Sequence, residues 1–319
     1  MDEFYHDDEG LLYERVKWHT RKKHAFIESY LNIWVENVKH NLPTLDIFDL
    51  FASSGLCYCE ESARYGLSEP TWKGSAILAA ECLERYPKGQ KLFLNTFHQN
   101  ASICQKQKEN LNRILMHYSR IKPIITTLDI NEAIDAARRE LSPTFPSFWI
   151  LDPYSSSDLP WELVEKIGRF QGEYRNKKGE VKVRKPEMII TLMTYGLQMN
   201  IDINPHIVSQ ALGMDEAEWR PKYNILMMEY HNTRKALIDL YAEKLSELYE
   251  KPPIIIEINT TEEAAIVYCL FLCTDSNAGH YLMKLKGLKD YTTWEYQWKQ
   301  DAERISVEKH IPKDQTRLF

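Results

Sequence analysis

The chain alternates short runs that are apolar almost throughout with longer stretches in which apolar residues return every three or four positions. Leu45–Phe51, Lys91–Phe97, Pro123–Leu128, Phe148–Leu151 and Glu187–Met193 predict strands. The most apolar of these suit a parallel sheet covered on both faces, where each strand presents apolar side chains to both sides. Between them, Gly74–Tyr86, Ile103–Tyr118, Asn131–Leu141 and Trp161–Gly172 predict helices. Upstream, Phe26, Ile27, Tyr30, Leu31, Trp34 and Val38 fall on one face of a helix that opens near Thr20. Such alternation predicts an α/β protein built on a doubly wound sheet. Residues 198–250 depart from it with helical character, notably Ala236–Leu248, and read as a helical insertion or cap. Pro253–Ile258 and Ala264–Cys273 predict two further strands. Residues 1–17 read as a polar arm with a short helical start, 56–73 as a long mixed loop and 291–319 as a polar tail, leaving 18–290 as the folded domain.

Two strand ends carry the candidate chemistry. Leu45–Phe51 breaks into Ala52-Ser53-Ser54-Gly55, small residues that let a ligand approach the backbone at the carboxyl edge of a sheet. Asp49, Phe51, Ala52 and Gly55 are its candidate cofactor-binding residues, Asp49 either orienting the loop or facing the amino group of a bound amino-acid moiety. Phe148–Leu151 ends in Asp152-Pro153-Tyr154: a carboxylate able to accept from an exocyclic amine, a proline that fixes the turn, and a ring able to stack on a base. Such a site holds the base outside any duplex, and methyl transfer there needs proximity and alignment more than a strong base.

At the end of the second strand, nucleoside-binding folds place an acid for the ribose. Here the residues are Asn95, Thr96, Phe97 and His98, so Asn95 or His98 is the candidate partner. Asp129, after the third strand, is placed either to accept from an adenine amino group or to cap the next helix. Arg21, Lys22 and Lys23 crowd the start of the first helix, and six basic residues gather in 173–185, where Lys178-Gly179 predicts a hairpin turn. Each run is either a solvated face or a set of phosphate contacts, with Thr20, Lys23 and His24 closing the site and Lys177 and Lys178 reaching in from the hairpin.

Composition narrows the class. A chain of 319 residues, 44% apolar and 27% charged, suits one large globular domain. No apolar window reaches the roughly 18 residues of a membrane span, so no membrane partner is expected. The acidic start Met1–Glu9 is unlike a secretory signal, which points to the cytoplasm. Six cysteines without zinc spacing predict small buried hydrophobes and no metal. The net charge of −6 argues against a protein that coats nucleic acid, while leaving local contact open.

Thr20-Arg21-Lys22-Lys23-His24 followed by Tyr30-Leu31 and Trp34, then Asp49-Leu50-Phe51-Ala52, Gly74-Ser75, Leu151-Asp152-Pro153-Tyr154 and Met193 with Gly196 form an ordered series. Leu240-Tyr241 with Leu245, Tyr268, Leu270 and Cys273-Thr274, and Gly279 with Met283 continue it. In order and spacing the series resembles the three-Cys-motif partner (TcmP) family across residues 18–290. That family is related to class I S-adenosylmethionine-dependent methyltransferases. The resemblance therefore implies a Rossmann-like sheet, S-adenosylmethionine as cofactor on Asp49, Phe51, Ala52, Gly55 and Asp129, and Asp152, Pro153 and Tyr154 as catalytic residues. Asp152-Pro153-Tyr154 is also similar to the Asp-Pro-Pro-Tyr of amino-methyltransferases acting on adenine, which implies an amino group of a nucleic-acid base or nucleotide as the target. The family name implies a protein partner, so the alternative expectation is a catalytically degenerate partner subunit of a larger complex.

Overall fold

The computed structural model describes residues 3–38, 44–61, 70–86, 89–142, 146–175, 179–259, 266–276 and 280. Strands β1 (Phe4–His6) and β2 (Leu12–Arg15) precede helix α1 (Trp18–Val38). Strands β3 (Thr44–Asp49), β4 (Leu56–Tyr58) and β5 (Thr71–Lys73) lead to α2 (Ser75–Glu84), β6 (Gly89–Asn95), α3 (Ala101–Leu115), β7 (Pro123–Thr126) and α4 (Ile130–Glu140). Next come β8 (Ser147–Leu151), α5 (Trp161–Gly168), β9 (Gly172–Arg175), β10 (Val181–Arg184) and β11 (Glu187–Leu192). Helices α6 (Thr194–Asn200), α7 (Pro205–Leu212), α8 (Glu216–Tyr230) and α9 (Thr233–Leu248) precede β12 (Ile254–Asn259) and β13 (Ile266–Cys273).

Seven strands form the main sheet in the order β12-β13-β11-β8-β3-β6-β7. The pairs from β11 to β7 are parallel, and β13 runs antiparallel to both of its neighbours. β8 and β11 are buried along their whole length, as cover on both faces requires. Alternation sorts the side chains. Leu45, Ile47, Phe148, Ile150 and Ile189 pack with α1, α2 and α3 on one face; Phe48, Trp149, Leu151, Met188 and Ile190 pack with α4, α5 and later helices on the other. Phe48 stacks on Trp149 with centroids 4.3 Å apart, tying β3 to β8. This is a mixed α/β fold with helices on both faces of a mostly parallel sheet.

The helices expected as an insertion or cap are part of that second face. Trp219, Leu237 and Tyr241 are buried in one core with Trp149, because their apolar faces find the sheet rather than the site. Gly213 ends α7 at φ +64°, and a Cβ there would lie 2.2 Å from Trp161 Cγ, so both the turn and the close approach require glycine.

The polar arm and the 56–73 loop are corrected more sharply. β1 and β2 form a hairpin, turned where Asp7 Oδ1 accepts from the Glu9 and Leu11 amides at 3.0 and 2.7 Å. β2 pairs in parallel with β4, and β4 antiparallel with β5, giving a second sheet β1-β2-β4-β5. Trp18, Cys57, Cys59 and Trp72 make its own small core, which consumes the Cys57/Cys59 pair as buried apolar groups. β9 and β10 form the expected antiparallel hairpin. Lys177, Lys178 and the 291–319 tail lie outside the described residues.

Candidate functional site

The strand order reverses between β3 and β8: the chain runs from β3 to β6 and β7 on one side, then returns to β8 on the other. A crevice at the carboxyl ends of such strands is where open α/β sheets bind ligands. A cavity of about 180 Å³ lies there, walled by Phe51, Ser53, Gly55, Asp152, Pro153 and Tyr154, with Thr20, Lys23 and His24 from α1 and Met193 and Tyr268 from the far side. A second cavity, of about 430 Å³, adjoins it over the end of β6 and is walled by Phe97, His98, Gln107, Ser155 and the first hairpin. Glu14 and Tyr154 belong to both. Spaces of a few hundred Å³ are the usual size of small-molecule sites.

The turn after β3 is built from below. Asp49 is fully buried, accepting from the Phe51 amide at 3.2 Å and from Ser75 Oγ at 2.7 Å, and so ties the turn to the start of α2. Burial pushes its carboxyl up to about 7, against the pull of Ser75. Asp49 and Ala52, both expected to touch a cofactor, line neither cavity; they hold the turn on which Phe51, Ser53 and Gly55 face the space. Gly55 takes φ +82°, and a Cβ there would lie 2.7 Å from Leu111.

Asp152 stands at the floor of the smaller cavity. Lys23 Nζ lies 2.5 Å from its Oδ2, each side chain 12% exposed. Burial alone would pull the Lys23 ammonium down, but the Asp152 carboxylate reverses this and holds it above its usual value. Oδ1 of Asp152 is buried with no hydrogen-bond partner. The Lys23 ammonium also sits 5.3 Å from the Tyr268 ring centroid.

The basic run is thus neither a solvated turn nor an open anion site: Lys23 is spent on Asp152, Lys22 is 3% exposed, and Arg21 lies over Trp72 at 5.8 Å. His24 Nδ1 accepts from the Trp72 indole at 2.9 Å, and burial together with Lys23 lowers its pKa to about 3. It is a neutral wall residue. His19, facing Tyr268 edge-on, is lowered to about 4 by the same two causes.

The expected ribose and adenine residues are engaged elsewhere. Asn95 holds the Leu50 and Leu128 carbonyls and accepts from Thr126 and the Leu128 amide, so its side chain knits β3, β6 and β7 together. His98 Nδ1 accepts from the Asn100 amide at 2.9 Å and its Nε2 faces Glu3 at 3.2 Å. Asp129 is the N-cap of α4, accepting from the Asn131 amide at 2.9 Å, exposed and outside both cavities.

Glu14, Val16, His19 and Tyr268 also line the site. The first three arrive through the hairpin and the start of α1, whose Asp7-to-Gly10 turn was the signal available in the sequence. The hairpin is pinned by Asn110, whose side chain accepts from the Leu12 amide at 2.9 Å and donates to the Leu12 carbonyl at 2.9 Å and the Ser54 carbonyl at 2.8 Å. Among the described residues, no group of three or more metal-ligating side chains gathers, and no helix is long and apolar enough to cross a membrane.

No family model and no curated protein matches the chain. Among solved structures, the chain is similar to protein LPL1258 from Legionella pneumophila str. Philadelphia 1, described by the family model DUF519. The match has 10% identity over 85% of this chain and 93% of that one, with a TM-score of 0.46.

Proposed function

We propose that the chain is an S-adenosylmethionine-dependent methyltransferase acting on an amino group of a nucleic-acid base or nucleotide. The observation that carries this reading is the unpartnered Oδ1 of Asp152 on the wall of a cavity at the reversal point of the sheet. A buried acceptor without a donor calls for one from a ligand, and an amine N–H is such a donor. The sheet supports the same reading: its strand order reverses between β3 and β8, and such a reversal point is where open α/β sheets take nucleoside-bearing ligands. So does the motif order that resembles the TcmP family.

The cofactor, when bound, would supply an electrophilic methyl group. Phe51, Ser53 and Gly55 would hold its amino-acid end on the turn after β3, and Phe97 and Gln107 would flank its nucleoside. Asp152 Oδ1 accepts from the target amine and aligns it, while Lys23 on Oδ2 fixes the carboxylate's orientation. Pro153 sets the turn, and Tyr154, 38% exposed between the two cavities, offers a ring face to the base.

The test is calorimetric titration with S-adenosylmethionine and S-adenosylhomocysteine, followed by transfer of labelled methyl to a panel of nucleic acids and nucleotides. Micromolar binding and transfer are expected, with Asp152→Ala abolishing turnover and leaving cofactor affinity within a few-fold. Turnover retained in that variant would remove Asp152 from the chemistry.

One observation favours a second reading, a degenerate partner subunit. Ser53 bears a side chain where cofactor turns favour glycine, and Gln107 Nε2 reaches its hydroxyl at 3.3 Å. A folded protein that binds neither compound but copurifies in a stable complex would decide for it.

A further inference from the structure

We infer that Glu14, carried in by the first hairpin, is the carboxylate that receives the ribose hydroxyls of the bound nucleoside, in place of the acid that β6 lacks; this rests on the cofactor reading above. Nucleoside sites over such sheets use an acid at the end of the second strand because two vicinal hydroxyl donors match two carboxylate oxygens. In this chain that strand ends in Asn95, Thr96, Phe97 and His98. Asn95 is consumed by the Leu50 carbonyl after β3 and the Leu128 amide and carbonyl after β7, and Thr96 by the Cys104 and Thr126 carbonyls. His98 is held between the Asn100 amide and Glu3. None of these side chains is left to take a diol.

The larger cavity over that strand end contains three carboxylates, Glu3, Glu14 and Asp158. Glu3 sits at the rim, its side chain 63% exposed and set against His98. Asp158 closes its own turn by accepting from the Ser155 amide at 2.8 Å. Glu14 differs from both. It faces both cavities at their junction, and its hydrogen-bonding partner is the Ser53 hydroxyl on the cofactor turn. It makes no ion pair among the described residues: Lys23, the cation that acts on it most strongly, is already bound to Asp152. Burial pushes its carboxyl above the usual glutamate range, so hydroxyl donors from a ligand would relieve a real cost. Its backbone is fixed by pairing with Cys57 in β4, and Leu12, two residues before it, is held on Asn110. The position is built rather than incidental.

The experiment titrates wild type and Glu14→Gln with S-adenosylhomocysteine and with its 2′-deoxyribose analogue, following heat rather than turnover. Hydrogen bonds to a charged group predict that wild type prefers the ribose form on the order of 10- to 100-fold. Glu14→Gln should bring that preference to within about threefold, weakening the deoxy analogue, which keeps its 3′-hydroxyl, clearly less than the ribose form. A preference retained in Glu14→Gln overturns the assignment while the cofactor reading stands. Equal weakening of both ligands also overturns it, assigning Glu14 to the hairpin's structure instead. A wild type that binds both forms equally refutes the ribose contact. A folded wild type that binds neither refutes the cofactor reading, and the assignment with it. Glu14→Asp, which keeps the charge and shortens the reach, should recover part of the preference.

Discussion

Lys23 Nζ and Asp152 Oδ2 meet at 2.5 Å, joining the early part of α1 to the end of β8 inside the site. One residue therefore answers both to the fold and to the chemistry: Asp152 is anchored by one oxygen and offered by the other.

Breaking that pair from one side leaves a charge with no counterpart. Lys23→Met should lower stability by about 3 kcal/mol, and Lys23→Met with Asp152→Asn should cost clearly less than the two single changes added together. Urea unfolding of the four proteins measures the coupling. Strict additivity would mean that the ion pair does not hold α1 to β8.

Asp49 gives the stability a pH dependence with a definite sign. Its folded pKa of about 7 lies above the ordinary 3.8, so between those values the folded state holds more protons than the unfolded one. Its contribution is fully present below about pH 4 and is lost as pH rises through 7, with a slope of at most about 1.4 kcal/mol per pH unit. Asp49→Asn should flatten this part of the profile and be relatively more stable at pH 8. Denaturation midpoints from pH 4 to 8 would show an unchanged slope if Asp49 were not the cause.

Asn110 pins the first hairpin to α3 through two hydrogen bonds to the Leu12 backbone. Asn110→Leu strands the buried Leu12 amide and carbonyl and should cost about 2–4 kcal/mol. Hydrogen exchange should rise in residues 3–15 before it rises in β3 or β8. Uniform loss of protection would contradict a local anchor.

Gly213 is tested by one methyl group. Gly213→Ala meets both a left-handed backbone and the Trp161 ring, and should destabilise by at least about 2 kcal/mol. A melting temperature within a degree of wild type would refute the close packing of α7 on α5.

Tyr154→Ala should raise KM for a nucleotide or base substrate by about 5- to 100-fold, the range that stacking on one ring supplies, whereas Tyr154→Phe should nearly retain it. Equal effects from both changes would assign the role to the hydroxyl instead of the ring.

The sheet was legible because burial on both faces leaves no freedom in composition. Phe148-Trp149-Ile150-Leu151 could only be an interior strand, and it is one. The site was legible where it lies at such a strand's end, as at Phe51, Asp152 and Tyr154. It was not legible where the same residue type serves two ends. Asp129 fits an adenine or a helix cap equally well in sequence, and the first turn of α4 took it. Lys23 read either as surface or as closing the site, and its partner was hidden because nothing local announces a carboxylate more than a hundred residues away. Glu14 was hidden furthest, since Phe4–His6 and Leu12–Arg15 are too short and too polar to show a period.

The parallel pairing of β2 with β4 also fixes an order of events. These strands are separated in the chain by all of α1 and β3, and the hairpin's anchor, Asn110, comes later still. A chain emerging from the ribosome makes β1 and β2 before β4 and α3, so their docking is incomplete until α3 is out. Residues 3–15 are thus among the last of the described residues to settle, and the pocket's near wall goes up only when the building behind it stands.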